Sequence, residues 1–142
     1  MRLNTIKRYA SAVSQYREIG VHTGVESAPP HRLIQMLLDG ALEKISIASG
    51  HMKRREVAQK GIHISWAISI IEGLRTSLNM ESGGELAGNL DRLYEYVSRR
   101  LMEANLRNDP ALLDEVQRLL AEVRAGWQDI QPFESAKASS EI

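Results

Sequence analysis

The sequence predicts an all-α protein, an antiparallel up-down four-helix bundle with a short helical or extended N-terminal cap segment. Four stretches repeat apolar residues at spacings of three and four, and no stretch combines a period of two with enrichment in β-branched residues. The connections between the four stretches are short, which favours antiparallel neighbours. The 142 residues suit one domain that buries its own core.

Three parts of the chain differ in pattern. Residues 1–26, the predicted cap segment, carry scattered apolar side chains, several of them three or four positions apart, which is compatible with a short amphipathic helix. Residues 27–130 contain the four apolar repeats and form the predicted bundle. Residues 131–142 are a poor core former, and we expect them to be disordered.

The first helix is predicted at residues 30–51. Ser27 is a suitable N-cap, and Pro30 suits the first turn, because the N–H that proline lacks would have no partner there.

The second helix, predicted at residues 56–79, has more apolar residues than one core-facing stripe requires. Beside its main apolar line, a second line follows at positions i, i+4 and i+8: Ile62, Trp66 and Ile70.

The third and fourth helices are predicted at residues 85–107 and 110–130. Residues 80–84 contain a Gly-Gly pair and are interpreted as a loop. Asp109 is a good cap and Pro110 a good first residue, so one helix is expected to stop and the next to start there.

Composition excludes several classes of protein. The formal net charge is zero, whereas nucleic-acid-binding proteins usually carry a basic excess. The chain has no cysteine, which excludes disulfides and thiolate metal sites. No stretch approaches the roughly 18 apolar residues of a membrane span, and the basic N-terminus lacks the apolar run of a signal peptide. We therefore expect a cytosolic protein without nucleic-acid binding or membrane insertion.

The candidate patterns for chemistry are incomplete. None of the histidines follows a glutamate at the Glu-x-x-His spacing of di-iron bundles, and no two are four residues apart as a zinc motif requires. The pair Gly83-Gly84 lacks the preceding strand and the following Lys-Ser/Thr of a phosphate loop. We predict no metal, no cofactor and no enzymatic activity.

The surplus apolar surface has two interpretations. In the first, Ile62, Trp66 and Ile70 are covered, either within the core or by residues 1–26. In the second, they form a groove for a partner helix or extended peptide. Around them we place Leu74, Leu90 and Tyr94 as further candidate contacts. A helical structural or regulatory module that self-associates through the same surface is the alternative function, and a persistent dimer would distinguish it.

Four segments resemble, in the right order, the FliS family of flagellin export chaperones. They are LIQMLLDGAL at residues 33–42, SLNMESGGELAGNLDRLYEY at 77–96, RRLMEANLRND at 99–109 and LDEVQRLLAEVRAGW at 113–127. One departure is Leu37-Leu-Asp-Gly40, where the family has Leu-Tyr-Asp-Gly.

The resemblance implies a four-helix antiparallel bundle without catalysis. We expect the chain to be a monomer or a weak homodimer. The resemblance implies binding of the disordered C-terminal region of newly made flagellin in apolar grooves, so that the client cannot polymerise. It also implies delivery to a component of the flagellar type III export gate. In that family a short N-terminal segment covers part of the client surface, and carried onto this chain that segment includes Tyr9.

Overall fold

The computed structural model of the chain describes the backbone of residues 30–140 and the side chains of residues 30–130. Four helices follow one another: α1 at Pro30–Lys53, α2 at Val57–Thr76, α3 at Met80–Arg107 and α4 at Pro110–Ser140. The described part of the chain contains no β-strand. The predicted all-α class is therefore confirmed, whereas the proposed cap segment with Tyr9 and the proposed N-cap Ser27 lie outside the described residues.

The helices pack in a closed ring. α1 packs against α2 and α4, and α3 packs against the same two helices. Because short connections join consecutive helices, neighbours run antiparallel and form an up-down four-helix bundle. Fully buried side chains from all four helices fill the centre: Leu37, Leu38, Ile45, Ile64, Ile71, Leu101, Leu113 and Leu120. Each of these contributes roughly 1.5–3 kcal/mol through burial.

The junction between α3 and α4 has the predicted stop and start. Asn108 adopts a left-handed conformation (φ 52°) at the end of α3, and its N–H bonds to the carbonyl of Ala104. The carboxylate of Asp109 accepts a hydrogen bond from the N–H of Ala111 at 3.0 Å, and Pro110 begins α4. Local chemistry at three consecutive residues therefore sets this boundary.

The prediction of a loop at residues 80–84 is wrong, because α3 already begins at Met80. Asn79 is the N-cap of α3, and its side chain accepts a hydrogen bond from the N–H of Ser82 at 3.0 Å. α2 ends at Thr76, earlier than the predicted residue 79. A kink follows at Gly84, whose φ of 54° and ψ of −130° lie where only glycine is unstrained. The Gly-Gly pair thus bends a helix instead of separating two.

The last helix is longer than predicted. α4 extends to Ser140, whereas we placed its end near residue 130 and expected a disordered tail. The backbone of residues 131–140 continues the helix, and the division of the chain into three parts stays a prediction. None of the described helices is both long and apolar enough to cross a membrane.

Candidate partner-binding groove

An apolar cavity of about 260 Å³ opens at the end of the bundle where α1 and α3 begin and α2 ends. All four helices contribute to this cavity, which we call the end groove. Its large apolar lining residues are Ile34, Leu74, Leu78, Leu86, Leu90 and Trp127. Among these six residues, Leu86 is the exposed one, with 56% of its surface accessible. An apolar concavity of this kind can accept the aliphatic side chains of another chain.

One wall of the groove is held by a reciprocal contact between α1 and α4. The indole Nε1 of Trp127 donates to the carbonyl of His31 at 2.9 Å. The Nε2 of His31 donates to the carbonyl of Trp127 at 2.8 Å, which assigns the proton to that nitrogen. The two rings stack with centroids 4.7 Å apart and an interplanar angle of 11°. Further along the same pair of helices, Arg124 forms an ion pair with Asp39.

The opposite side is held by an ion pair between α2 and α3. Arg75 Nε donates to Asp91 Oδ1 at 2.6 Å, and the second contact, from Nη2 to Oδ2, measures 3.4 Å. The hydrogen bond to Asp91 raises the pKa of the Arg75 guanidinium above its ordinary value. Arg75 directly follows Leu74, so this pair positions the end of α2 beside the groove.

The floor of the groove contains a phenol. Tyr94 lines the cavity, yet only 3% of its surface is exposed. Burial raises the pKa of the Tyr94 hydroxyl to about 12, because the phenolate would lose its hydration. The group is therefore a neutral hydrogen-bond donor at any pH in the physiological range.

Three predicted contact residues meet in the end groove. Leu74 and Tyr94 form its floor and Leu90 lies partly exposed on its wall. The sequence placed these three near the surplus apolar line of α2, and the structure places them at the bundle end instead. The groove also contains Leu86 and Trp127, which are not among the predicted contact residues. These two residues can be recognised as groove residues only from the packed helices, whose ends converge around the cavity.

The line of Ile62, Trp66 and Ile70 does not form one outer face. Ile70 is fully buried in the core, and its role as a partner contact stays a prediction. Each step of four residues rotates the side chain by about 40°, and two steps by about 80°. That rotation is enough to pass from solvent at Ile62, which is 55% exposed, to the centre of the bundle.

Trp66 lies between these extremes, half-buried on the side of α2 that faces α1. The ammonium Nζ of Lys44 lies 3.9 Å from the centroid of the indole, a cation–π contact. The Nε1 atom of Trp66 is buried and has no hydrogen-bond partner in the described part of the chain. Ile62 precedes Leu74 by about 18 Å of helix rise, so Ile62 and Trp66 form a second apolar surface, separate from the end groove.

Within residues 30–130, no group of three or more His, Asp or Glu side chains is arranged to hold a metal ion. The four-helix ring with an open apolar end is an arrangement suited to binding another chain.

Comparison with known proteins decides the family. A family model described as "Flagellar protein FliS" matches residues 12–134. The chain belongs to the FliS family. The flagellar secretion chaperone FliSB of Pseudomonas aeruginosa is 55% identical over 119 residues, which cover 84% of this chain and 94% of that protein. The predicted resemblance is thus confirmed.

More distant FliS proteins match over similar lengths. The flagellar secretion chaperone FliS of Salmonella typhimurium is 43% identical, with 92% of this chain and 97% of that protein covered. That of Bacillus subtilis is 32% identical, with 73% and 77% covered. The names of these FliS relatives denote a chaperone, which is a non-enzymatic role.

Proposed function

We propose that this chain is a cytosolic export chaperone that binds the disordered C-terminal region of flagellin, prevents its premature polymerisation and delivers it to the flagellar type III export apparatus. The observation that carries the proposal is the open, apolar end groove on a member of the FliS family. A chaperone of this kind must hide adhesive client surface without chemistry, and an apolar groove on a chain of zero net charge suits that task.

The energetics favour a client that folds as it binds. Ordering a disordered segment consumes about 2–5 kcal/mol of the gross interaction energy. Contact spread over two separate surfaces, the end groove and the face with Ile62 and Trp66, offsets this cost. Because no single contact has to be very strong, the client remains releasable at the export gate.

The N-terminal segment is proposed to cover the groove when no client is bound. α1 begins at Pro30, and its second residue, His31, is clasped to Trp127 on the groove wall. Pro30 therefore lies at the same end of the bundle as the cavity. Tyr9 and its neighbours are the proposed covering residues, and a client would displace them.

Substitution in the groove tests the proposal. Leu86→Asp places a carboxylate on the groove wall at an exposed position, so the fold should be retained while client contact is lost. Leu106→Asp is the matched control, because Leu106 lies on the same helix, is 83% exposed and is not part of the groove lining.

Calorimetry with a peptide of the flagellin C-terminal region measures the result. We expect Leu86→Asp to weaken binding by roughly 2 kcal/mol or more, and Leu106→Asp to leave it nearly unchanged. Equal affinity of both variants and the unsubstituted protein would remove the end groove from the proposal.

The second surface has its own test. Trp66→Ala should weaken client binding by roughly 2 kcal/mol if the indole is an anchor, with the helical circular dichroism retained. Unchanged affinity would restrict the client to the end groove.

Self-association through the same surfaces is the alternative proposal. Ile62 and Leu86 are exposed apolar side chains that a second copy could cover. Light scattering with and without the flagellin peptide separates the two, because a client-binding monomer or weak homodimer should give up any dimer when peptide is added. A dimer that persists under saturating peptide would favour the structural module.

A further inference from the structure

The polar side chains that line the end groove differ in whether they are already engaged. Ser77 Oγ donates to the carbonyl of Leu74 at 2.7 Å. Asn79 Oδ1 accepts from the N–H of Ser82 at 3.0 Å. Tyr94, the third, donates to no atom of the described residues, and burial is the sole cause of the shift in its pKa. Among the described residues the phenol is thus a donor without an acceptor.

Tyr94 lines the cavity, and a small part of its surface stays accessible. The sealed side-chain atoms that lack a partner in the described part of the chain are His31 Nδ1, Trp66 Nε1 and Ser98 Oγ. The Tyr94 hydroxyl is not among these sealed atoms, although only 3% of the residue's surface is exposed. Because Tyr94 lines the floor of the groove, we assign this remaining access to the groove.

We propose that the Tyr94 hydroxyl is the specificity contact of the end groove, where it donates a hydrogen bond to a neutral side-chain oxygen of the bound chain. This inference rests on the proposed function, since the bound chain is the client. It assigns the client a defined chemistry: an Asn, Gln, Ser or Thr residue flanked by aliphatic residues that fill the apolar walls.

A neutral side-chain oxygen fits better than the other acceptors. A carboxylate would be buried without a counter-charge, because no lysine or arginine lines the cavity. Main-chain carbonyls of a helical client are already bonded within its helix. Water can satisfy the phenol in the empty groove, but an aliphatic client without an oxygen would displace that water and leave the donor unpaired. The groove therefore discriminates against purely apolar segments.

The protein-side test is Tyr94→Phe, which removes the hydroxyl and keeps the ring. We expect the variant to bind a peptide of the flagellin C-terminal region about tenfold more weakly, the factor that corresponds to about 1.4 kcal/mol. Its stability to urea without peptide should be unchanged or slightly higher, because the hydroxyl donates to no described atom. Tyr96→Phe is the matched control: its hydroxyl bonds to Glu115 outside the groove, and client affinity should not change.

The client-side test uses the same peptide with each Asn, Gln, Ser and Thr that stands between aliphatic residues replaced by alanine, one at a time. One replacement should weaken binding to the unsubstituted protein about tenfold and have little further effect in Tyr94→Phe, as a direct pair requires. The measurements on the unsubstituted protein need no protein variant and are unaffected by any folding defect of Tyr94→Phe.

The outcomes separate the two proposals. Absence of peptide binding by the unsubstituted protein would contradict the proposed function itself. Tight binding that is equal in the unsubstituted protein and Tyr94→Phe would overturn only the assignment of Tyr94. A peptide scan in which no replacement depends on Tyr94 would have the same consequence.

Discussion

Trp127 and His31 hold each other through both main chain and side chain. Each side chain donates a hydrogen bond to the carbonyl of the other residue, at 2.9 and 2.8 Å, while the two rings stack. The contact joins the first turn of α1 to α4 across 96 positions of sequence. It therefore closes the ring of helices at the bundle end that carries the groove.

The clasp yields a first prediction. Trp127→Phe keeps an aromatic ring beside His31 but removes the indole N–H, so the free energy of unfolding should fall by about 1 kcal/mol for the lost hydrogen bond. Trp66→Phe is the matched control, because the Nε1 of Trp66 has no partner in the described residues and no hydrogen bond is lost. Urea unfolding of both variants measures the difference. Equal losses would show that ring volume, and not the hydrogen bond, determines the effect.

The kink in α3 yields a second prediction. Gly84 has φ 54° and ψ −130°, so Gly84→Ala should lower the free energy of unfolding by roughly 1–3 kcal/mol through backbone strain. Gly88→Ala, four residues further in regular helix, would place its Cβ 3.7 Å from Arg92 in ordinary contact, and it should be neutral or stabilising. Thermal unfolding of the pair gives the comparison. A neutral Gly84→Ala would mean that the first turn of α3 rearranges without cost.

A buried lysine at the other end of the bundle yields a third prediction. Lys60 is 3% exposed, and its ammonium donates to the carbonyl of Asn105 at 3.0 Å and to the side chain of Asn108. A positive charge also suits the negative end of the α3 dipole.

Lys60→Met should therefore lower the free energy of unfolding by about 1–2 kcal/mol, since both acceptors lose their donor. Lys53→Met, at an exposed position, is the control. A Lys60→Met variant that is more stable than the unsubstituted protein would show that the desolvation of the ammonium outweighs its hydrogen bonds.

The link between α3 and α4 yields a prediction about pH. Arg100 Nε donates to Glu115 at 2.9 Å, and the hydroxyl of Tyr96 is a second donor to the same carboxylate. The hydrogen bond from Arg100 is the main reason why the pKa of Glu115 lies below its ordinary value of 4.5. Because the unfolded chain then binds the proton more readily, this pair stabilises the fold above about pH 4.5 and loses its contribution as the pH falls through the lowered pKa.

Unfolding of Glu115→Gln as a function of pH checks this contribution. The stability difference from the unsubstituted protein should be largest near pH 7 and shrink steadily below about pH 4.5. Glu122→Gln makes the same charge change at an exposed position of α4 and serves as the control. A stability difference for Glu115→Gln that does not vary with pH would contradict the role of the carboxylate.

The sequence by itself determined the local features. Apolar spacing of three and four defined four helices, and the caps at Asp109 and Pro110 defined where one ends and the next begins, because a cap depends on atoms within a few residues. Motifs in the correct order also identified the FliS family, which the family model then confirmed. The spacing of the histidines and the residues around Gly83-Gly84 led to the predictions of no metal site and no phosphate loop.

Only the tertiary structure decided which apolar residues face a partner. The spacing of Ile62, Trp66 and Ile70 is regular, yet the first is exposed, the second is half-buried and the third is sealed in the core. Whether a side chain at the edge of an apolar stripe is covered depends on the distance and angle of the neighbouring helices, which no periodicity encodes. Leu86 and Tyr94 of α3 meet Trp127 of α4 in one groove for the same reason, since the helices have to converge before the cavity exists.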